Sequence, residues 1–329
     1  MIRYQAFAVL AFFLAVQIQA GEPLAAKKQL GIATYSVKGL ESDIEGTFKS
    51  LQASGYTVME ISNYNANQRT VEGMSPKDYA ALAEKYGMDI ISSHTRAQFD
   101  VNDVAGTLEA WGKIFDDHKI LGAKYVVFPM NQWANTPEAV KVECDLMNKI
   151  GAEANKRGLK FGYHNHNMEF AKIGDSDEIL EDFLINNTDA DKVFFQMDVY
   201  WVTQGNADPV AYLKKYPKRF QVLHIKDDYV IGESGKIDYE AIFTTFYKNG
   251  YKDWFVEIEE YMTPEQREAM RKMIEEMRKA QAEGRQPEGG ARRMGPPQRT
   301  PEEQAQRLAT SLDAIAKSAE FLSAAKYVK

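Results

Sequence analysis

Residues 193–227 read VFFQMDVYWVTQGNADPVAYLKKYPKRFQVLHIKD. Two apolar, β-rich runs, 193–201 and 220–227, flank a segment of helical spacing. Each run carries ionisable groups toward its far end: Asp198 in the first, His224 and Lys226 in the second. Apolar runs this continuous fit strands buried on both faces, as in a parallel sheet, where consecutive strands need a helical crossover. The stretch therefore reads as one βα unit followed by the next strand.

The same unit recurs in both directions. Comparable runs occupy 30–36, 56–62, 89–96, 123–130 and 160–166 upstream, and 253–261 downstream. Between them, Ser75-Pro76 and Thr136-Pro137 read as a cap followed by proline in the first helical turn. Gly55, Gly87, Gly122, Gly158 and Gly250 stand where helices should stop. Strand starts recur roughly every 25–35 residues, the size of a βα unit. Eight such units predict an α/β protein, a closed (β/α)₈ barrel. A doubly wound open sheet is the alternative, but no Gly-rich phosphate loop follows the first strand.

Both ends depart from this rhythm. Arg3, the apolar run 6–16 and the small residues Ala20, Gly21, Ala25 and Ala26 follow the order of a secretory signal peptide, with cleavage expected after Ala20. The expected protein is thus exported, to the periplasm, with the barrel over 27–329. The apolar run is too short to span a bilayer, so no stable membrane span is expected after cleavage. Near the other end, 263–300 reads as an insertion: a charged helical stretch, then a linker rich in Gly, Pro, Arg and Gln. Helical pattern resumes at 301–325, with Leu308, Leu312, Ile315 and Phe321 on one face, as the helix that closes the barrel.

Composition narrows the function. The chain has 329 residues, 44% hydrophobic, and a formal net charge of −7. Its Lys and Arg residues form no basic stripe, so nucleic acid is not expected as a partner. Cys144 is the only cysteine, which excludes an intrachain disulfide; among Val142, Leu146 and Ile150 it reads as a packed, inert thiol.

The chemistry-bearing residues fall at the ends of the expected strands. They are Glu60, His94, His164, His166, Asp198, His224 and Glu257. The active site of such a barrel forms at the C-terminal ends of its strands, so these groups should meet at one mouth. His118, on a helix, is expected to be a surface or packing residue. Any one of the others could be satisfied by hydrogen bonds alone. Together they call for a partner, because charged groups rarely face a barrel interior unpaired. A divalent cation supplies one: mixed imidazole and carboxylate donors suit Mn, Zn, Co or Fe, with Mg also possible, better than Ca.

The strings FGYHNHNMEF (161–170), MDVYWVTQGNADPVAYLKKYP (197–217), LHIKD (223–227), GKIDYEAIF (235–243) and WFVEIEE (254–260) resemble the xylose isomerase-like TIM barrel superfamily, often labelled sugar phosphate isomerase/epimerase. The resemblance runs from about Gly31 to Tyr261 and resumes in the final helix. Its branch is the one related to inosose dehydratases and keto-glycoside-processing proteins. In the superfamily, Glu, Asp, His and Glu from strands five to eight commonly hold a metal. Carried over by position, the resemblance implies His164, Asp198, His224 and Glu257. His164 departs from the pattern, which weakens a two-glutamate proton shuttle.

The implied chemistry is removal of a proton from carbon next to a carbonyl, assisted by the ion. Candidate acids and bases are Glu60, His166, Lys226 and Glu257. Lys226 is attractive if burial beside a cation lowers its pKa, and unremarkable if it is a surface lysine paired with Asp227 or Asp228. His94 is a candidate substrate contact. Tyr163, Trp201 and Trp133 could form the wall on which a sugar ring stacks, although barrel aromatics are more often core. Three functions follow from the same parts. The first is a metal-dependent isomerase or epimerase of a free, non-phosphorylated sugar or cyclitol. The second is a lyase or hydratase of a keto-sugar or 3-keto-glycoside. The third is a sugar-binding barrel without turnover. The oligomeric state stays open.

Overall fold

The computed structural model describes residues 28–263 and 299–329, together with positions 265, 266, 268, 269, 272, 273 and 276. The expected signal peptide and most of the expected insertion lie outside the described residues. Among those described, no helix is long and apolar enough to cross a membrane.

Eight parallel strands close into a barrel in chain order. They are β1 (Leu30–Ala33), β2 (Tyr56–Ile61), β3 (Asp89–His94), β4 (Tyr125–Phe128), β5 (Lys160–His164), β6 (Val193–Asp198), β7 (Phe220–Ile225) and β8 (Asp253–Val256). The connecting helices are α1 (Ile44–Ala53), α2 (Pro76–Lys85), α3 (Val104–Leu121), α4 (Pro137–Asn155), α5 (Leu180–Asn187), α6 (Val199–Gln204), α7 (Pro209–Lys215), α8 (Tyr239–Lys248) and α9 (Pro301–Ala324). A short ribbon pairs Tyr64–Asn65 with Thr70–Val71 above β2. The last helix packs beside α1, and Tyr56 in β2 donates its hydroxyl to the Ile315 carbonyl at 3.0 Å. The ring of helices is thereby closed.

The expected punctuation is present. Ser75 and Thr136 accept hydrogen bonds from the backbone of Asp78 and Ala139, with proline next in chain. The five glycines at helix ends all adopt positive φ, where a Cβ would clash with its own backbone. The strands stop earlier than sequence alone indicates. The 193–201 run breaks at Asp198, which turns the chain into α6 by accepting from the Tyr200 and Trp201 amides, each at 2.9 Å. His166, Lys226 and Glu257 consequently stand just beyond their strands, where backbone can bend toward the mouth.

Period-two alternation stacks the barrel interior. Val58, Phe194, Val222 and Phe255 form an apolar lower layer, fully or almost fully buried. Two positions further along each chain sit Glu60, Gln196, His224 and Glu257, so the layer above is polar. Gly162 makes room for this packing: a Cβ there would lie 2.5 Å from the Phe194 ring. Two side chains depart from expectation. Val142 beside the buried Cys144 is exposed, and on α9 it is Leu322, not Phe321, that faces the core. His118 is wholly buried, donating from Nδ1 to the Ile114 carbonyl at 2.7 Å, so it is a packing residue and not a surface one.

Candidate active site

Cross-strand register builds the site in tiers. Asp198 on β6 lies opposite His224 on β7, His164 on β5 opposite Gln196 on β6, and Glu60 on β2 opposite Ser92 on β3. All six side chains are buried.

Glu60 forms the floor. Its carboxylate accepts from His224 Nε2 at 2.6 Å, Ser92 Oγ at 2.6 Å and Gln196 Nε2 at 2.7 Å, with His94 Nε2 at 3.2 Å. Burial would raise its pKa, but His94 and His224 outweigh that and hold it below the ordinary carboxylate value. With three hydrogen bonds and no exposure, Glu60 does not line the cavity that opens above these groups and is not placed to take a proton from a substrate there. That corrects its expected role as acid or base.

The middle tier holds Asp198, His224, Glu257 and His164. One donor atom from each of the first three lies within 4.8 Å of the others. Asp198 Oδ1 caps α6, while its Oδ2 has no hydrogen-bond partner; His224 Nδ1 is likewise buried without one. Glu257 Oε2 comes to 2.8 Å from His224 Nδ1 but without hydrogen-bond geometry. His164 Nε2 stands 4.0 Å from Asp198 Oδ2. Three buried donor groups gathered this closely are what a shared cation would require, the ion displacing the proton that His224 Nδ1 holds against Glu257. The donor set, two carboxylates with imidazoles, fits Mn, Zn, Co or Fe better than Ca. His94 makes a second trio with His164 and His224, but its Nε2 is taken by Gln196 Oε1 at 2.6 Å.

Electrostatics sharpens the contrast. Asp198 is raised to about 7, through burial first and the Glu257 charge, against the pull of Lys226 and His224. His224 is disfavoured as a cation by burial, yet Glu60 and Glu257 lift it to about 10. His164 is neutral, pushed well down by burial and by His94, His224 and His166. Burial also lowers His166 to about 4.

Lys226 sits at the upper tier, fully buried. Its ammonium meets Glu257 Oε1 at 2.7 Å and Glu259 Oε1, and stands 4.9 Å from the centre of the Trp201 ring. Burial works against the charge, but Glu257, Asp198 and Glu259 more than offset it, so the pKa is raised. The protein's own groups thus favour the ammonium, and its partners are Glu257 and Glu259 instead of Asp227 or Asp228. Above this tier opens a cavity of about 440 Å³, lined among others by Tyr35, His94, Arg96, His164, His166, Glu257 and Glu259. That volume lies in the range of small-molecule pockets, roughly 300–1,000 Å³.

The expected stacking wall is only partly there. Tyr163 is fully buried, accepting from Trp133 Nε1 at 2.9 Å and donating to Glu169 at 2.6 Å. Its ring is closed to a ligand. Trp133 packs against it at 5.1 Å. Glu169 also accepts from the His166 amide at 2.8 Å and so fixes the turn that carries His166. Trp201 is half-buried, 5.7 Å from the His166 ring. Sequence reasoning passed over Gln196, Glu169 and Glu259. Gln196 and Glu259 had a signal: each lies two positions from a chosen site residue and so shares its face.

A family model described as xylose isomerase-like TIM barrel matches residues 48–280. An inosose dehydratase of Clostridium beijerinckii is 26% identical over 162 residues, covering 42% of this chain and 53% of that protein. One from Clostridium perfringens is 23% identical over 259 residues, covering 66% of this chain and 82% of the relative. The match thus spans about half of the first relative and most of the second. A sugar phosphate isomerase/epimerase of Parabacteroides distasonis has a solved structure 28% identical in sequence, with a TM-score of 0.74. It covers 94% of this chain and 100% of its own.

Proposed function

The chain belongs to the xylose isomerase-like TIM barrel family, and on that premise we propose that it is a divalent-metal-dependent enzyme that takes a proton from carbon beside the carbonyl of a non-phosphorylated sugar or cyclitol. The observation that carries this reading is the convergence of buried Asp198, His224 and Glu257, with Asp198 Oδ2 lacking any hydrogen-bond partner and His224 Nδ1 held 2.8 Å from Glu257 Oε2 outside hydrogen-bond geometry. Asp198, His224 and Glu257 would hold the ion, with His164 as fourth ligand. A cation there supplies a Lewis acid for a carbonyl oxygen.

The protein's own groups divide the remaining work. Glu257, held well below the usual carboxylate range by Lys226 and His224 despite its burial, is the ionised base at the cavity. Lys226, fully buried behind Glu257 and Glu259, supplies a fixed positive charge whose field favours an oxygen that gains negative charge in the cavity beyond them. His166, a neutral imidazole on the cavity with an unpartnered Nδ1, receives or returns a proton from a different element of the barrel.

Elimination is the outcome we put first. Epimerisation and isomerisation are best served by two matched bases. Here β5 offers His164 where a second carboxylate would stand, leaving Glu257 as base with the Lys226 charge behind it to favour the leaving oxygen. The inosose dehydratase relatives support the same choice. Isomerisation or epimerisation is the second reading, favoured by similarity to the Parabacteroides protein. Export to the periplasm belongs to the proposal and accords with a non-phosphorylated substrate.

Incubation of metal-loaded protein in D₂O with ketoses, inososes and 3-keto-glycosides tests it. Deuterium should enter at carbon beside the carbonyl. Loss of water or an aglycone from the product marks the lyase, and an isomer of unchanged mass apart from the label marks the second reading. Absence of both exchange and product with every substrate class sinks both and leaves a sugar-binding barrel.

A further inference from the structure

The polar floor beneath the ligands has a donor–acceptor polarity that one residue decides. Glu60, ionised, can only accept. It takes the Nε2–H of His224 on one oxygen at 2.6 Å and the side-chain amide N–H of Gln196 on the other at 2.7 Å. The second bond orients Gln196, whose amide oxygen must then face the opposite way. That oxygen meets His164 Nδ1 at 3.0 Å and His94 Nε2 at 2.6 Å, so both rings donate to it. Turning the Gln196 amide over would set oxygen against carboxylate and N–H against two imidazoles. With Nε2–H of His224 committed to Glu60, Nδ1 faces Asp198 and Glu257. With Nδ1–H of His164 committed to Gln196, Nε2 faces Asp198.

We propose that Glu60 is a positioning residue that fixes which ring nitrogen two imidazole ligands present to the cation, directly in His224 and through Gln196 in His164. The inference rests on the reading that His164 and His224 hold a cation. Imidazole ligands in metal sites generally donate their second N–H to such a partner, and losing it typically costs roughly 10–100-fold in metal affinity. What is specific to this chain is the relay: one carboxylate sets two rings, the second through an amide.

Glu60→Gln breaks the polarity whichever way its new amide turns. If its oxygen faces His224, its N–H₂ meets the N–H₂ of Gln196, which must flip and force His164 to carry its proton on Nε2. If its N–H₂ faces His224, that ring is forced to the Nδ1–H form. The exchange Glu60→Gln/Gln196→Glu restores every donor to an acceptor.

Three proteins, wild type, Glu60→Gln and the exchange double variant, are labelled with ¹⁵N-histidine. Ring tautomers are read by NMR without metal and with Zn²⁺, and Zn²⁺ affinity is measured by competition with a chromophoric chelator. The expected result is a metal-free wild type with His164 as Nδ1–H. In Glu60→Gln, one of the two rings has the wrong nitrogen protonated and Zn²⁺ binds roughly 10–100-fold more weakly. The double variant recovers the His164 tautomer and most of the affinity. The proposal is overturned if metal-free wild-type His164 carries its proton on Nε2, if Glu60→Gln changes neither ring nor affinity, or if the double variant recovers neither. Should Glu60→Gln fail to fold, the double variant against wild type decides. A wild type that binds no Zn²⁺ removes the cation reading alone, because the metal-free tautomers still answer the question asked of Glu60.

Discussion

Asp198 and His224 face each other as register partners on adjacent strands, and each turns one buried, unbonded atom toward the same point. Two such atoms side by side are expensive in a low-dielectric interior. Each residue's other polar atom is firmly engaged, Asp198 Oδ1 with the first turn of α6 and His224 Nε2 with Glu60. The free atoms are therefore held in place by the bonds of their neighbours.

This arrangement sets the metal prediction. Elemental analysis of purified protein should find close to one divalent ion per chain. Asp198→Asn keeps an oxygen for the helix cap but removes the anionic ligand, and His224→Ala removes the imidazole. Both should lose most of the metal, and the Asn variant should keep its circular dichroism spectrum. Full metal content in both would sink the ligand assignment.

Lys226 gives a prediction of opposite sign for binding and turnover. Lys226→Met keeps apolar bulk against Trp201 and removes a positive charge 2.7 Å from Glu257. A divalent ion should then bind as tightly as before or more tightly. Turnover should nevertheless fall by about 10²–10⁴, the usual contribution of a positioned acid or charge. The paired measurement is metal affinity and kcat on one sample. A variant that loses the metal, or keeps more than a tenth of kcat, contradicts the role given to Lys226.

Much of this was legible in the sequence, and the reasons for the gaps are physical. Continuous apolar runs such as VFFQM marked the strands because a doubly covered parallel sheet tolerates little else. The glycines before five of the strands marked the helix ends because few other residues take positive φ there. Histidines and carboxylates at strand ends converged because a barrel gathers those ends. Three-dimensional partners were not legible. That Glu60 would be bonded by Ser92, Gln196 and His224 depends on how four strands meet across the barrel interior. That Lys226 would stay charged depends on Glu257, Asp198 and Glu259 meeting around it, the last from beyond β8. The closure of Tyr163 depends on Glu169, placed by a turn of 3₁₀ helix over Met168–Phe170.

Tyr163 yields the third prediction. Its hydroxyl joins Trp133 Nε1 to Glu169 inside the wall behind the site. Tyr163→Phe leaves one donor and one carboxylate oxygen short of a partner, which costs about 1–3 kcal/mol. The urea midpoint should drop accordingly, while KM changes by no more than a few-fold because the ring touches no ligand. A large rise in KM with unaltered stability would restore the stacking role that the sequence first indicated.

The last prediction concerns pH and a histidine remote from the metal tier. His118 is buried and neutral, donating from Nδ1 to Ile114 and pairing through Nε2 with the Thr95 hydroxyl at 3.2 Å. Burial lowers its pKa from 6.5 to about 4. A histidine with a lowered folded-state pKa takes up a proton on unfolding throughout the interval between the two values. Stability from this group is thus fully present above pH 6.5 and is lost progressively as pH falls toward 4, with a slope approaching about 1.4 kcal/mol per pH unit. The adjacent Asp117 acts in a separate window. Burial would raise it, but Arg69 and Tyr64 prevail and hold it below its usual 3.8. His118→Gln can still donate to Ile114 and accept from Thr95, yet it does not titrate. Urea unfolding of both proteins at steps from pH 7 to pH 4.5 isolates the difference, because the other histidines are common to the pair. The wild type should lose more stability than the variant across that range, by close to one proton's worth of slope at its lower end. Parallel curves would mean that His118 is not held neutral by the fold.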